Sequence, residues 1–233
     1  MQKIRTICLG QNTNCYLVET AAGFILIDTG FPHQRHILQR ALDEAGCHAG
    51  NLPLIILTHG DIDHSGNAAY LRTAYGAQLA MHPGDTPMCL TDGETRERNT
   101  RPPADFPKVL YLWFISAAIG YFTRKLLYHA KFEPFTPDIL VEDGQDLRPL
   151  GLEAIVYHTP GHSKGSISLL IPEGALICGD HFGQVWGRVI DTTDDPAFPS
   201  TNDKLQRLDV KMVYPGHGAP FAAERAKLWS AAT

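Results

Sequence analysis

The chain has 233 residues with a hydrophobic content of 44%, which suits one large domain or two small ones built around a sizeable core. Its formal charge of −5 gives no basic surface for nucleic acid. The five cysteines are odd in number and form no CxxC pair, which argues against a disulfide framework and favours a reducing cytoplasm. The stretch from Met1 to Thr6 lacks the apolar core of a signal peptide, so we expect a cytoplasmic protein.

The first third of the chain predicts a β-meander followed by alternating helices and strands. Short apolar runs separated by turn residues indicate the strands, and apolar positions at helical spacing indicate the helices. Gly46 supplies a helix stop. The predicted elements are strands at 14–19, 24–28, 54–57 and 77–81, and helices at 33–45 and from about 65 to 72.

Residues 83–137 differ in character and predict an insertion over one face of the core. Pro, Thr, Arg and Glu dominate its beginning, and a continuous apolar run follows at 109–122. That run is shorter than the ~20 residues that a membrane-spanning helix needs. We therefore expect a core or lid helix there, with contact to a membrane surface as the alternative.

From residue 139 onward the strand pattern returns. The predicted elements are strands at 139–141, 153–158, 166–171, 175–178 and 211–214, and helices at 203–208 and 221–230. In both halves of the chain, continuous apolar strands end in polar residues of the metal-ligand type. This pattern predicts buried sheets whose strand ends meet at one shared site.

Seven side chains that can bind metal follow these strand-like runs. They are His59, Asp61, Asp63 and His64 within six residues, and His162, Asp180 and His217 farther along. A hydrolytic metal site takes imidazole and carboxylate ligands from several segments. The first four residues do not easily share one ion, because the chain passes from an extended loop into a helix among them. Each residue alone is more often an ordinary surface or capping residue, but the joint pattern indicates two neighbouring metal ions.

Six sequence motifs surround these residues and their strands: NCYLVE, FILIDTG, LTHGDIDHSGN, TPGHSKGSISLL, CGD and YPGHG. In these motifs the chain resembles the metallo-β-lactamase superfamily, and the resemblance covers nearly its whole length. The resemblance implies an α/β fold, a four-layer αββα sandwich formed by one domain over 1–233. The helical insertion at about 83–137 would then lie over the metal cleft. The fold says little about the substrate, because it supports many chemistries.

The resemblance also implies how the seven residues divide between two divalent ions. One ion would be held by His59, Asp61 and His162, the second by Asp63, His64 and His217, and Asp180 would bridge both. Asp28 would orient ligands through hydrogen bonds. Zinc is the expected metal, with manganese or iron as alternatives.

Position 61 departs from the family pattern, which usually has histidine there. A third carboxylate lowers the formal charge of a two-metal site by about one unit. We therefore expect a less acidic metal-bound water and a greater tolerance for harder metals such as manganese or iron. The alternative is a weak or vacant first metal position.

The implied activity is metal-dependent hydrolysis of an ester, thioester or lactone carbonyl, in which two metals activate water. Asp63 would orient the nucleophile and pass on its proton. The alternatives are a mononuclear iron oxidoreductase similar to persulfide dioxygenase, a β-lactamase-like amide hydrolase and a non-catalytic binding protein. Retention of Asp63, His64 and His217 favours two metals and hydrolysis.

The expected partner is a small molecule, lipophilic if the aromatic residues of the insertion roof the cleft. These residues include Trp113, Phe114, Tyr121 and Phe122. The alternative is that they belong to the core or form a homodimer contact. We expect neither nucleic-acid binding nor stable insertion into a membrane.

Overall fold

Twelve strands and five α-helices are found in the part of the chain that the computed structural model describes, namely residues 2–10, 13–91, 132–185, 188–191 and 198–226. The strands are β1 (Ile4–Cys8), β2 (Asn14–Thr20), β3 (Gly23–Ile27), β4 (Leu54–Ile56), β5 (Gln78–Met81), β6 (Ile139–Leu140), β7 (Ile155–His158), β8 (Ile167–Ile171), β9 (Ala175–Val185), β10 (Arg188–Asp191), β11 (Met212–His217) and β12 (Phe221–Ala222). The helices are α1 (Arg35–Glu44), α2 (Ile62–Ser65), α3 (Ala68–Tyr75), α4 (Thr86–Cys89) and α5 (Phe198–Gln206).

The strands form two mixed sheets. The first has the order β1-β2-β3-β4-β5-β6, antiparallel from β1 to β3 and parallel from β3 to β6. The second has the order β12-β11-β9-β8-β7, with β10 paired to β9. Parallel neighbours need crossover connections, which α1 supplies between β3 and β4, and α2 and α3 between β4 and β5. The carboxyl ends of β3 and β4 therefore lie at one edge of the first sheet.

Alternation of side chains along the strands sorts the core into three apolar layers. In β4, Ile55 packs with the buried residues of α1 and α3, whereas Ile56 packs with Ile177 of the second sheet. In β9, the neighbouring residue Leu176 packs on the other side, with Leu205 of α5. The order is therefore helices, sheet, sheet, helix, which confirms the predicted α/β fold and its αββα sandwich.

Most of the predicted elements are confirmed with ends shifted by a few residues, but the helix predicted at 221–230 is wrong over its described part. Phe221–Ala222 form strand β12, and Ala223–Arg225 form one turn of 3₁₀-helix. Phe221 is buried and pairs with Val213 of β11, so sheet pairing overrides the helical preference of the alanine-rich sequence. Strand β9 also runs well past its predicted end at residue 178.

Both described ends of the stretch at 83–137 pack into the core. Cys89, Phe132 and Phe135 are buried in the same apolar cluster as α1 and α3. The backbone N–H of Phe135 donates to the carbonyl oxygen of Cys89 at 2.9 Å. The helix predicted at 109–122 lies outside the described residues. Among the helices that are described, none has both the length and the hydropathy needed to cross a membrane.

Candidate metal centre

The structure brings all seven predicted ligands together, from segments that belong to or follow strands of both sheets. His59 and Asp61 lie in the loop after β4, Asp63 and His64 in α2, His162 in the loop after β7, Asp180 in β9, and His217 at the end of β11. They form three groups whose ligand atoms lie within 4.8 Å of one another: His59, Asp61 and His162; His59, His64 and Asp180; and Asp63, His64 and His217. The first and third groups match the two predicted ligand sets.

Asp180 lies between the two sets. Its Oδ2 atom is 3.5 Å from Nε2 of His162, a member of the first set, and 3.3 Å from Nε2 of His217, a member of the second. Its Oδ1 atom is 3.3 Å from Nε2 of His64. One carboxylate therefore faces imidazoles of both sets, which is the geometry that a bridging ligand requires.

The unusual residue Asp61 points into the site. Its Oδ2 atom lies 3.1 Å from Nε2 of His162 and 3.7 Å from Nε2 of His59. In the second set, Oδ2 of Asp63 lies 3.3 Å from Nε2 of His217. Asp61 thus holds the place in the first set that Asp63 holds in the second.

Two glycines let the strands of the second sheet approach the ligands closely. Gly179 has a positive φ of 49°, and a Cβ atom there would lie 2.8 Å from Cβ of Thr58. A Cβ atom on Gly216 would collide with the Asp180 carboxylate and lie 2.6 Å from Cε1 of His64. The pairing of β11 with β9 shifts register between Tyr214 and His217, around Gly216. Such irregularities are common beside functional sites.

Asp28 orients two of the imidazoles. It is buried, it has a φ of 61° although it is not glycine, and it follows β3 directly. Its carboxylate accepts hydrogen bonds from the backbone N–H and the hydroxyl of Thr58, both at 2.8 Å, and from Nδ1 of His64 at 2.9 Å. Because the Thr58 hydroxyl donates to Asp28, its oxygen accepts from Nδ1 of His59, 2.9 Å away. Both imidazoles therefore turn Nε2 toward the site.

The protonation state of His59 and its Nε2 atom suit a ligand of a divalent metal ion. Burial and then the neighbouring imidazoles of His64 and His162 lower the pKa of His59 to about 4, so the ring is neutral at pH 7. Its Nε2 atom is buried and has no hydrogen-bond partner in the described structure. A buried nitrogen without a hydrogen-bond partner is uncommon in folded proteins. The free lone pair of this neutral ring, close to carboxylates, is available to bind a metal ion.

Two supporting residues were not predicted from the sequence. The hydroxyl of Tyr16, a buried residue of β2, donates to the carbonyl oxygen of Pro215 at 2.5 Å and so holds the turn before His217. Burial raises the pKa of Tyr16 well above its ordinary value, which keeps it a donor. Asp85, assigned to the insertion, accepts a hydrogen bond from the backbone N–H of Gly60 at 2.9 Å. The available signal was its place just after strand β5, similar to that of Asp28 after β3.

Metal binding is expected to release protons and to weaken as the pH falls. Burial disfavours the charged form of both His64 and His217. The carboxylates of Asp180 and Asp63 outweigh burial, holding the pKa of His64 well above its ordinary value and raising that of His217 to about 9. At pH 7 both rings carry a proton in the metal-free chain, and ligation must remove it.

Calorimetric Zn²⁺ titrations at pH 7, in two buffers of different ionisation enthalpy, should therefore report release of about two protons per chain. Apparent affinity should fall steadily from pH 9 to pH 6. Release of no protons would contradict the expectation that both rings are protonated in the metal-free chain and then bind the metal.

Known proteins share both the sequence and the fold. Residues 9–217 match the model of the metallo-beta-lactamase superfamily. A probable metallo-hydrolase of Methanocaldococcus jannaschii is 30% identical over 216 residues, which cover 90% of this chain and 89% of the relative. An uncharacterized protein of Mycobacterium leprae is 32% identical over 228 residues, covering 91% and 90%. The crystal structure of TTHA1623 in a di-iron-bound form is 27% identical, with a TM-score of 0.64 and 94% of each chain covered. On these grounds the chain belongs to the metallo-β-lactamase superfamily.

Proposed function

We propose that the chain is a metal-dependent hydrolase that holds two divalent ions and cleaves an ester, thioester or lactone bond in a small molecule. The observation that carries the proposal is the convergence of two ligand sets on the shared carboxylate of Asp180. The probable metallo-hydrolase among its relatives supports metal-dependent hydrolysis, and the di-iron-bound structure supports a two-metal site. All five cysteines are free, which agrees with action in the cytoplasm.

In this proposal Asp63 is the residue that transfers the proton during hydrolysis. Two bound ions would lower the pKa of water and polarise the substrate carbonyl. The Asp63 side chain is 21% exposed, against 10% for Asp61 and 9% for Asp180. In the metal-free chain, burial raises the pKa of Asp63, but the charge of His64 and the hydrogen bond from His217 outweigh this effect and lower the pKa. Two neighbouring ions would also keep Asp63 ionised, because opposite charge favours the carboxylate. Since the side chain is partly exposed, Asp63 would accept a proton from attacking water and return it to the leaving group.

Asp61 makes the first ligand set richer in oxygen. Carboxylate oxygens suit manganese, imidazole suits zinc, copper, iron and nickel, and mixed sets of histidine and carboxylate are typical of non-haem iron. We therefore include tolerance for manganese or iron, alongside zinc, in the proposal. A mononuclear iron oxidoreductase is the second candidate, because the same residue could weaken the first metal position.

Elemental analysis of the chain, purified without chelator or added metal, tests this proposal. We expect about two divalent ions per chain, and activity on a panel of esters, thioesters and lactones that disappears with chelator and returns with metal. The variant Asp61→His is the matched control, and its bound metal should shift toward zinc. About one iron per chain, with no hydrolysis of the panel, would favour the oxidoreductase instead.

A further inference from the structure

The buried residue Asp85 joins the two loops that carry the first ligand set. It is 1% exposed and lies between β5 and α4. Its Oδ2 atom accepts hydrogen bonds from the backbone N–H of Gly60 at 2.9 Å and from the Ser163 hydroxyl at 2.6 Å. Its Oδ1 atom accepts from the backbone N–H of Gly165 at 2.7 Å. Gly60 stands between two predicted ligands, and Ser163 directly follows a third, His162.

The backbone around Asp85 leaves no room for another side chain. A Cβ atom on Gly165 would lie 2.7 Å from Cγ of Asp85, and one on Gly60 would lie 3.2 Å from its Cβ atom. Gly84 packs in the same way, since a Cβ atom there would lie 3.0 Å from Cα of Gly165. The two loops thus rest directly on this carboxylate, and a shift of Asp85 would move both.

We propose that Asp85 is a positioning residue for the first metal position, which His59, Asp61 and His162 form. The inference rests on the proposed two-metal function. The described hydrogen bonds of the Asp85 carboxylate reach only the two loops of this first set. Asp28 instead acts directly on His64 of the second set and reaches His59 only through Thr58.

A carboxylate suits this position because all three of its partners are donors. Asparagine has nearly the same shape, but its NH₂ group would face at least one N–H or hydroxyl donor and leave it without an acceptor. Asp85→Asn therefore removes the interaction with little change in volume. Ser163→Ala is the milder variant, since it removes one of the three donors to Asp85, together with the hydroxyl contact to Ser166, and keeps both backbone hydrogen bonds to Asp85.

The test is competition titration of the metal-free chain with Zn²⁺ alone against a chromophoric chelator. Loss of a residue that orients ligands typically costs about 10- to 100-fold in metal affinity. Asp85→Asn should weaken one of two Zn²⁺ ions by that factor and leave the other within about threefold. Ser163→Ala should weaken binding of the same ion about fivefold, the effect of the one hydrogen bond that Asp85 loses. Thermal unfolding of each metal-free variant checks that it is folded.

Two double variants assign the loss to a position. In a His217→Ala background, which removes the second position, adding Asp85→Asn should lower the remaining Zn²⁺ affinity about 10- to 100-fold. In a His162→Ala background, which removes the first position, adding Asp85→Asn should change the remaining Zn²⁺ affinity by less than about threefold. Equal loss in both backgrounds, or loss in neither, would overturn the inference; if Asp85→Asn does not fold, Ser163→Ala is tested in the same two backgrounds.

Failure of this inference is distinguishable from failure of the proposed function. A wild-type chain that binds fewer than two Zn²⁺ ions would contradict the two-metal site and the role of Asp85 together. A wild-type chain that binds two ions, with both retained at full affinity in Asp85→Asn, would contradict only the role of Asp85. Absence of hydrolysis would affect neither result, because the titration measures binding alone.

Discussion

Replacing Asp180 with asparagine is expected to abolish tight binding at both metal positions and to lower hydrolysis by roughly 1,000-fold or more. The carboxylate lies 3.3 to 3.5 Å from imidazole nitrogens of both ligand sets, so its loss removes one ligand from each. A bound ion supplies several kcal/mol of transition-state stabilisation, and about 4 kcal/mol corresponds to the stated factor. Metal content and kcat/KM, measured on the same preparations, test this expectation.

A matched control for this variant is Asp209→Asn, at a carboxylate whose side chain is 89% exposed. That change should leave both metal content and kcat/KM near wild-type values. Two tightly bound ions in Asp180→Asn would show that Asp180 does not bridge the site.

Asp180→Asn should also destabilise the metal-free chain at neutral pH. Burial raises the pKa of Asp180, but the charge of His64 and the hydrogen bonds from His217 and His64 hold it well below its ordinary value. A carboxyl whose pKa is lower in the folded state stabilises the fold above its unfolded pKa, and this contribution is lost as the pH falls through the folded pKa. Breaking a buried ion pair costs about 3–5 kcal/mol. Urea unfolding should show that difference at pH 7 and a smaller one in acid.

The second large effect is expected for Asp63→Ala, which should lower kcat by about 100- to 10,000-fold, the usual contribution of a general acid–base residue. Asp63 is also a predicted ligand of the second ion. The assay therefore needs saturating Zn²⁺, and metal content must be measured beside it. If Asp63 moves the proton, the variant retains a second ion under these conditions and still loses kcat, with little change in KM.

Chemical rescue separates the two roles of Asp63. Because the side chain is partly exposed, formate can reach the space that alanine leaves, and added formate should restore part of kcat. Asp61→Ala serves as the control, since its loss should respond to metal concentration and not to formate. Full activity of Asp63→Ala at saturating metal would exclude the proposed proton transfer.

The sequence by itself determined the choice of candidate ligands and the buried strands that precede them, and its resemblance to the metallo-β-lactamase superfamily implied the layer order. Continuous apolar runs such as Leu54–Ile56 indicate strands that are buried on both faces, and this is a local property of the chain. Histidines and aspartates after such runs indicated seven candidate ligands, from His59 to His217. The structure places their ligand atoms in overlapping groups, although their binding of metal stays a prediction.

Only the tertiary structure decided which distant groups support those ligands. Asp85 reaches Gly165, 80 residues away, and Tyr16 reaches Pro215, 199 residues away. The strand at Phe221–Ala222 likewise exists because it pairs with β11, against its local helical preference. Local patterns report burial and backbone propensity, but they do not encode which loops meet once the two sheets have packed face to face. The buried hydrogen bonds that orient a metal site depend on that packing, so they became visible only in the folded chain.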